Sequence, residues 1–191
     1  MSKPTIGIIG GGQLGSMLST AAKNLDLKTV IISDDKSAPA QFFADEFIFC
    51  NYDDNIKIEE FCSKVDFVTF EFENIPYNTL SKIDEIKKVN PKPSINKIIQ
   101  NRLSEKDFLN KINIKTTSYI SVKNESELKS SQDFLPGILK TCTLGYDGRG
   151  QYKINNEEEL DNLKINFEND YIFEKLVKLK KEISVIITRF G

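Results

Sequence analysis

The sequence predicts an α/β protein in two parts, a parallel-sheet unit followed by an α+β unit. Three observations carry this. From Thr5 to about Asn90, short apolar runs alternate with helix-period segments, the pattern of a parallel sheet with crossover helices. Beyond Pro93 the apolar runs come as hairpin-like pairs with helices among them. The ten glycines fall into two clusters, Gly7–Gly15 and Gly137–Gly150, apart from Gly191, and none lies from Ser16 to Pro136.

Thr5–Ile9 is a short apolar run ending at glycine, which reads as a buried strand. From Gln13 the residues Leu14, Met17, Leu18, Ala21, Ala22 and Leu25 repeat at helical spacing. Thr29–Ile32 reads as a second strand and Phe47–Cys50 as a third. Ile56–Lys64 reads as helix, and Val65–Phe70 as a strand running into acidic residues. Asn90-Pro91-Lys92-Pro93 punctuates the chain, which places the domains at 1–93 and 94–191. Ile95–Ile112 reads as helix with a break near Arg102-Leu103-Ser104. Tyr119–Val122 reads as strand, and Glu125–Phe134 as helix capped near Asn124 or Ser126. Ile138–Thr141 leads into the second glycine cluster and Gln151–Ile154 returns from it. Glu157–Phe167 reads as an amphipathic helix. Tyr171–Leu176 and Glu182–Thr188 read as further strands.

Composition narrows the chemistry. The chain has no histidine, so imidazole-based triads and imidazole metal sites are excluded within it. A net charge of −2 and a pI near 5.4 give no electrostatic footprint for nucleic acid. The three cysteines show no CxxC spacing, which fits a reducing cytoplasm and argues against a disulfide framework or zinc site. No apolar stretch approaches membrane-spanning length.

Gly10-Gly11-Gly12-Gln13-Leu14-Gly15 matches G-x-G-x-x-G between a strand and a helix, with Asp34 or Asp35 about twenty residues on. Taken alone, this pattern suggests a nicotinamide dinucleotide. Its physical content is narrower: backbone N–H groups at a helix N-terminus hold any anion, and glycines also permit a tight turn. The second cluster says more. Lys140 sits in a strand that leads into Gly145-Tyr146-Asp147-Gly148-Arg149-Gly150-Gln151. A strand lysine before a glycine loop can neutralise phosphate charge while the loop covers a nucleotide. A hairpin turn is the simpler alternative, but it needs neither the two charges nor the tyrosine.

These segments, with Ala38-Pro39-Ala40, Thr69-Phe70-Glu71-Phe72-Glu73-Asn74, Arg102 with Glu105-Lys106, and Glu182-Ile183-Ser184-Val185, resemble the N5-carboxyaminoimidazole ribonucleotide synthase family. The resemblance runs from Ile6 to Arg189. It implies a Rossmann-like parallel-sheet N-terminal domain without nicotinamide, followed by an α+β ATP-grasp small module, with the ATP-grasp fold incomplete at the C-terminus. It implies a ligase that activates bicarbonate with ATP and Mg²⁺ as carboxyphosphate, which the amine of 5-aminoimidazole ribonucleotide captures. By that resemblance ATP contacts Arg102, Lys140, Gly145, Tyr146, Asp147, Gly148, Arg149, Gly150, Gln151, Glu174, Lys175, Leu176, Val177 and Glu182. The imidazole ribonucleotide is expected at Gln13, Glu73, Tyr146, Asp147 and Arg149, with Arg149 and Asp147 in catalytic roles. A homodimer and a functional link to the mutase acting next are also implied, with no nucleic-acid or membrane partner.

The residues allow their own reading beside this. Arg102 and Lys140 can bind phosphates. Strand 174–177 can offer backbone groups to an adenine edge. Glu174 and Glu182 read by themselves as plain surface charge on strands. Two departures stand out. Ser16 stands where many relatives carry arginine, and the family continues well past Gly191 with its Mg²⁺ carboxylates. No metal ligand is therefore assigned here, and a fragment without full activity is expected. The alternatives are another ATP-grasp carboxylase-like ligase, a non-catalytic nucleotide-binding module and, last, a dehydrogenase.

Overall fold

The computed structural model describes residues 3–145 and 150–188. They form two compact units, Met1–Glu105 and Lys106–Gly191.

In the first unit the strands are β1 (Thr5–Ile9), β2 (Lys28–Ser33), β3 (Glu46–Phe49) and β4 (Phe67–Phe70). They pair in parallel in the order β3-β2-β1-β4. The helices are α1 (Gln13–Asn24), α2 (Asn55–Lys64), α3 (Tyr77–Ile86), α4 (Pro93–Ile99) and α5 (Arg102–Lys111), which runs on into the second unit. The sheet is apolar on both faces, so consecutive strand residues are buried. Ile9, Val30, Ile32 and Val68 pack with Phe61 and Cys62 of α2 and Leu80 and Ile83 of α3. Ile8 and Ile31 face the other way, onto Ala40 of the 3₁₀ turn Pro39–Phe42. Strands buried on two faces lose the polar alternation, which is why they read as continuous apolar runs.

Helix α3 has no counterpart among the elements expected from sequence. Leu80 and Ile83 alone supply its inward apolar spacing, with Thr79 the third buried residue. The expected break in the following helix lies at Gln100-Asn101, where the Asn101 carboxamide oxygen accepts from the N–H of Leu103 (3.0 Å) and Ser104 (3.1 Å). A side-chain cap of this kind starts a new helix.

The second unit is an antiparallel sheet of β5 (Tyr119–Val122), β6 (Gly137–Thr141), β7 (Gln151–Ile154) and β8 (Tyr171–Lys175), in the order β5-β8-β6-β7. One face carries Val122, Leu139, Tyr171 and Phe173, covered by Leu128 of α6 (Glu125–Lys129) and Leu160 of α7 (Glu157–Asn162). Asn124 and Asn156 cap these helices, each accepting from the N–H three residues on.

Three expectations are corrected here. The helix from Glu125 ends at Lys129, and Gln132–Phe134 is a 3₁₀ turn. The helix from Glu157 ends at Asn162, because Leu163, Ile165 and Phe167 pack on the core at a spacing of two, which suits extended chain. Residues 182–188 form no strand. They have no regular secondary structure and are exposed, with Ile186 94% accessible. Their β-branched composition favours a strand, but a strand exists only when a neighbour satisfies its backbone groups.

Candidate functional site

In the first unit the chain leaves β1 at Gly10, whose φ of +105° is open only to glycine without strain. The parallel register sets Ile9 beside Phe70, so the next residues, Gly10 and Glu71, also meet. The N–H of Glu71 donates to the Ile9 carbonyl at 3.0 Å. Its carboxylate turns onto the first turn of α1, where one oxygen accepts from the Gly12 N–H at 2.7 Å and the other from the Gly15 N–H. A Cβ on Gly15 would stand 2.7 Å from the Gly10 carbonyl oxygen and 3.0 Å from Glu71 Oε2. These glycines therefore serve the close approach of an internal carboxylate. The N–H groups that a pyrophosphate would need at Gly12 and Gly15 are already bonded, and the dinucleotide alternative loses its physical basis.

Other expected residues of this unit lie nearby in the chain. Gln13 is exposed at the first position of α1. Ser16 is nearly buried, and its hydroxyl donates to the Gly12 carbonyl at 3.1 Å. The loop after β4 is clamped by α4. Asn96 donates through Nδ2 to the carbonyls of Glu73 (3.1 Å) and Ile75 (3.2 Å), and Gln100 donates to the Glu73 carbonyl at 2.6 Å. This fixes the backbone of half-buried Glu73. Arg102 is half-buried at the start of α5.

The second unit brings three charged side chains together. Glu174 lies on the sheet face opposite the apolar core. Its register partners are Tyr119 on β5 and Ile138 on β6. Lys140, two residues along β6, shares that face. The Lys140 ammonium donates to Glu174 Oε2 at 2.8 Å, and Lys106 of α5 lies 3.2 Å from Glu174 Oε1. Glu174 is only 6% exposed, so surface charge is the wrong description of it. Its carboxylate is held by two ammonium groups, which leaves one positive charge in excess beside the glycine loop. Such an excess suits an anionic ligand.

The loop itself is described at its ends. Gln151 pairs with Lys140 across the hairpin, and Gly150 has a φ of +68° with its carbonyl accepting from the Thr141 N–H at 2.9 Å. Gly145 is half-buried. Tyr146, Asp147, Gly148 and Arg149 lie outside the described residues. At the last residue of β8 the N–H of Lys175 donates to the Ser118 carbonyl, and just beyond it that of Leu176 donates to the Pro136 carbonyl, both at 2.9 Å. Leu176 and Val177 are 37% and 51% exposed. Glu182 is exposed in the segment 182–188.

Two residues of these clusters, Glu71 and Lys106, stand in segments that carry the family resemblance but were assigned no contact from sequence. Glu71 was legible from strand register, since the residue after β4 must meet the turn after β1. Lys106 was legible as the residue one helical turn after Arg102. Among the described residues, no group of three His, Cys, Asp or Glu side chains is placed to hold a metal ion, and no helix is long and apolar enough to cross a membrane.

Comparison with known proteins bears on both units. The family profile of the ribonucleotide synthetase preATP-grasp domain matches residues 3–100. The chain belongs to this family. The ATP-grasp domain profile follows over residues 107–191. N5-carboxyaminoimidazole ribonucleotide synthase from Staphylococcus aureus is 37% identical over 97% of this chain and 50% of its own length. The crystal structure of the Staphylococcus aureus synthetase complexed with ADP superposes with a TM-score of 0.81 at 33% identity, covering 94% of this chain and 49% of that one. The carboxyaminoimidazole ribonucleotide synthase of Aspergillus clavatus complexed with ATP gives 0.80 at 26% identity, covering 93% and 48%. The chain thus spans about half the length of the relatives it matches, and its preATP-grasp and ATP-grasp parts follow in the order expected from sequence.

Proposed function

We propose that this chain supplies the nucleotide-binding half of an ATP-dependent ligase. That ligase carboxylates 5-aminoimidazole ribonucleotide with bicarbonate to N5-carboxyaminoimidazole ribonucleotide. The observation that carries the reading is the Lys140–Glu174–Lys106 cluster beside the glycine loop, in a chain similar over nearly its whole length to these synthases. Lys140 supplies a cation to the nucleotide phosphates. The Lys175 and Leu176 N–H groups are spent within the fold, so the base edge falls to the Leu176 carbonyl and to Val177. Gly145, Gly150 and Gln151 frame the phosphate loop. Tyr146, Asp147, Gly148 and Arg149 complete it in this reading, with Asp147 and Arg149 at the reacting groups. Arg102, Lys175 and Glu182 are carried as further ATP contacts, and Gln13 and Glu73 as contacts to the aminoimidazole ribonucleotide.

The chemistry balances in two steps. A bicarbonate oxygen takes the γ-phosphoryl group and ADP leaves. The exocyclic amine then attacks the carboxyl carbon, the C–O bond to phosphate breaks, phosphate departs with the proton the amine gives up, and a C–N bond remains. Cations and backbone donors beside the phosphates stabilise the charge that develops. Among the described residues, no group of three carboxylate or thiol side chains is placed to hold Mg²⁺. Mg²⁺ use, a cytoplasmic setting, a homodimer and a link to the following mutase belong to the same proposal.

Titration calorimetry with ADP, ATP and NAD tests it. Adenine nucleotide binding that is lost in Lys140→Met, without NAD binding and without turnover of ATP, bicarbonate and aminoimidazole ribonucleotide by this chain alone, is the expected result. Failure to bind ADP and ATP, or a preference for NAD, overturns it.

A further inference from the structure

The buried Glu174 raises a difficulty for any phosphate-binding role of Lys140. Its side chain is 8% exposed. If Lys140 were its only counter-ion, moving that ammonium to a nucleotide would strand a charge away from water, which is strongly unfavourable. The second oxygen removes the difficulty. It faces Lys106 at 3.2 Å, and the Lys106 side chain is itself only 16% exposed.

We infer that Lys106 is a positioning residue of the nucleotide site, holding Glu174 so that Lys140 is free to exchange onto a phosphate. The inference rests on the nucleotide reading above. Lys106 is held in place from a second side. Its ammonium lies 5.6 Å from the centre of the Tyr119 ring. That ring is fixed in turn, because the Tyr119 hydroxyl donates to Asp107 at 2.6 Å and accepts from Asn110 at 3.0 Å. Tyr119 is also the register partner of Glu174 on β5. Among the described residues, the charged or titratable groups facing Glu174 are thus Lys140 from β6, Lys106 from α5, and Tyr119 from β5 with Asp107 behind it. The division of labour follows from geometry: one ammonium per carboxylate oxygen, the Lys140 side chain at 21% exposure being the more accessible of the two.

Calorimetric ADP titrations of the 191-residue chain test this. Lys106→Met is expected to weaken ADP binding by roughly tenfold or more, although Lys106 does not touch the nucleotide. Lys106→Arg is expected to restore wild-type affinity, because a guanidinium keeps a cation beside Glu174. Removing the carboxylate removes the need for its holder: Glu174→Gln and the Lys106→Met/Glu174→Gln double variant are expected to bind ADP equally, a comparison that stands even where Lys106→Met alone does not fold. Unequal affinity in that pair, or Lys106→Met binding ADP as the wild type does, overturns the inference alone. Absence of ADP binding by the wild type overturns it together with the nucleotide reading.

Discussion

Glu71 and Gly12 stand 2.7 Å apart, carboxylate oxygen to backbone nitrogen, and this bond sets what the first glycine loop can do. Helix α1 has no side-chain cap from its own N-cap residue, Gly12. The carboxylate from the adjacent strand takes that place and meets the partial positive charge of the helix end.

Removing this cap is expected to cost stability. Glu71→Ala should lower the unfolding free energy by about 2 kcal/mol, the scale of a lost charge-assisted cap. Glu71→Gln should cost less, because one acceptor remains. Urea unfolding followed by circular dichroism measures both.

Gly10 tests the same contact from the other side. A Cβ there would meet Glu71 Cγ at 2.5 Å, on a backbone with a φ of +105°. Gly10→Ala is expected to destabilise by about 2 kcal/mol or more, combining left-handed backbone strain with the clash. A midpoint in urea unchanged from wild type would contradict this.

Asn96 is fully buried and serves two carbonyls of the loop after β4. Asn96→Ala leaves the Ile75 carbonyl without this donor and should cost about 2 kcal/mol. Hydrogen exchange should show faster opening of residues 73–76 than of the sheet.

The carboxylate of Asp45 accepts from the Thr29 N–H (2.8 Å) and hydroxyl (3.0 Å). The backbone bond from Thr29 holds its pKa below the usual 3.8. The folded value lies under the unfolded one, so this stability is present above the unfolded value and is lost as pH falls through the folded one. Asp45→Asn should flatten the acid limb of a stability-against-pH curve below about pH 4.

Burial raises the Cys50 thiol to about 11. Here the unfolded chain ionises first, so stability falls as pH rises from near 9 toward 11. Cys50→Ala should remove that part of the alkaline loss. With Cys50, Cys62 and Cys142 all buried, a thiol reagent at pH 8 should react slowly with the native chain and with all three after unfolding.

The parallel sheet was legible because its strands are apolar on both faces, as Ile8-Ile9 and Val30-Ile31-Ile32 show. Helix α3 was not, since Leu80 and Ile83 are too few to set a period. The strand expected at 182–188 failed for a different reason. Its residues suit a strand, but pairing is a property of neighbours and not of composition. Within the candidate site, Lys140 was legible from its place before a glycine loop. Glu174 read by itself as surface charge because burial by Lys106 and Lys140 depends on residues distant in sequence. Glu71 and Glu73, two residues apart, look equivalent as carboxylates, and strand register is what gives the first to the helix cap and leaves the second in the clamped loop.

The exposed segment at 182–188 bears on behaviour in concentrated solution. Ile183, Val185, Ile186 and Ile187 are 84%, 69%, 94% and 84% exposed, and no sheet holds their backbone. Exposed β-branched residues without a paired neighbour favour association through their free backbone groups, and a net charge of −2 opposes it only weakly.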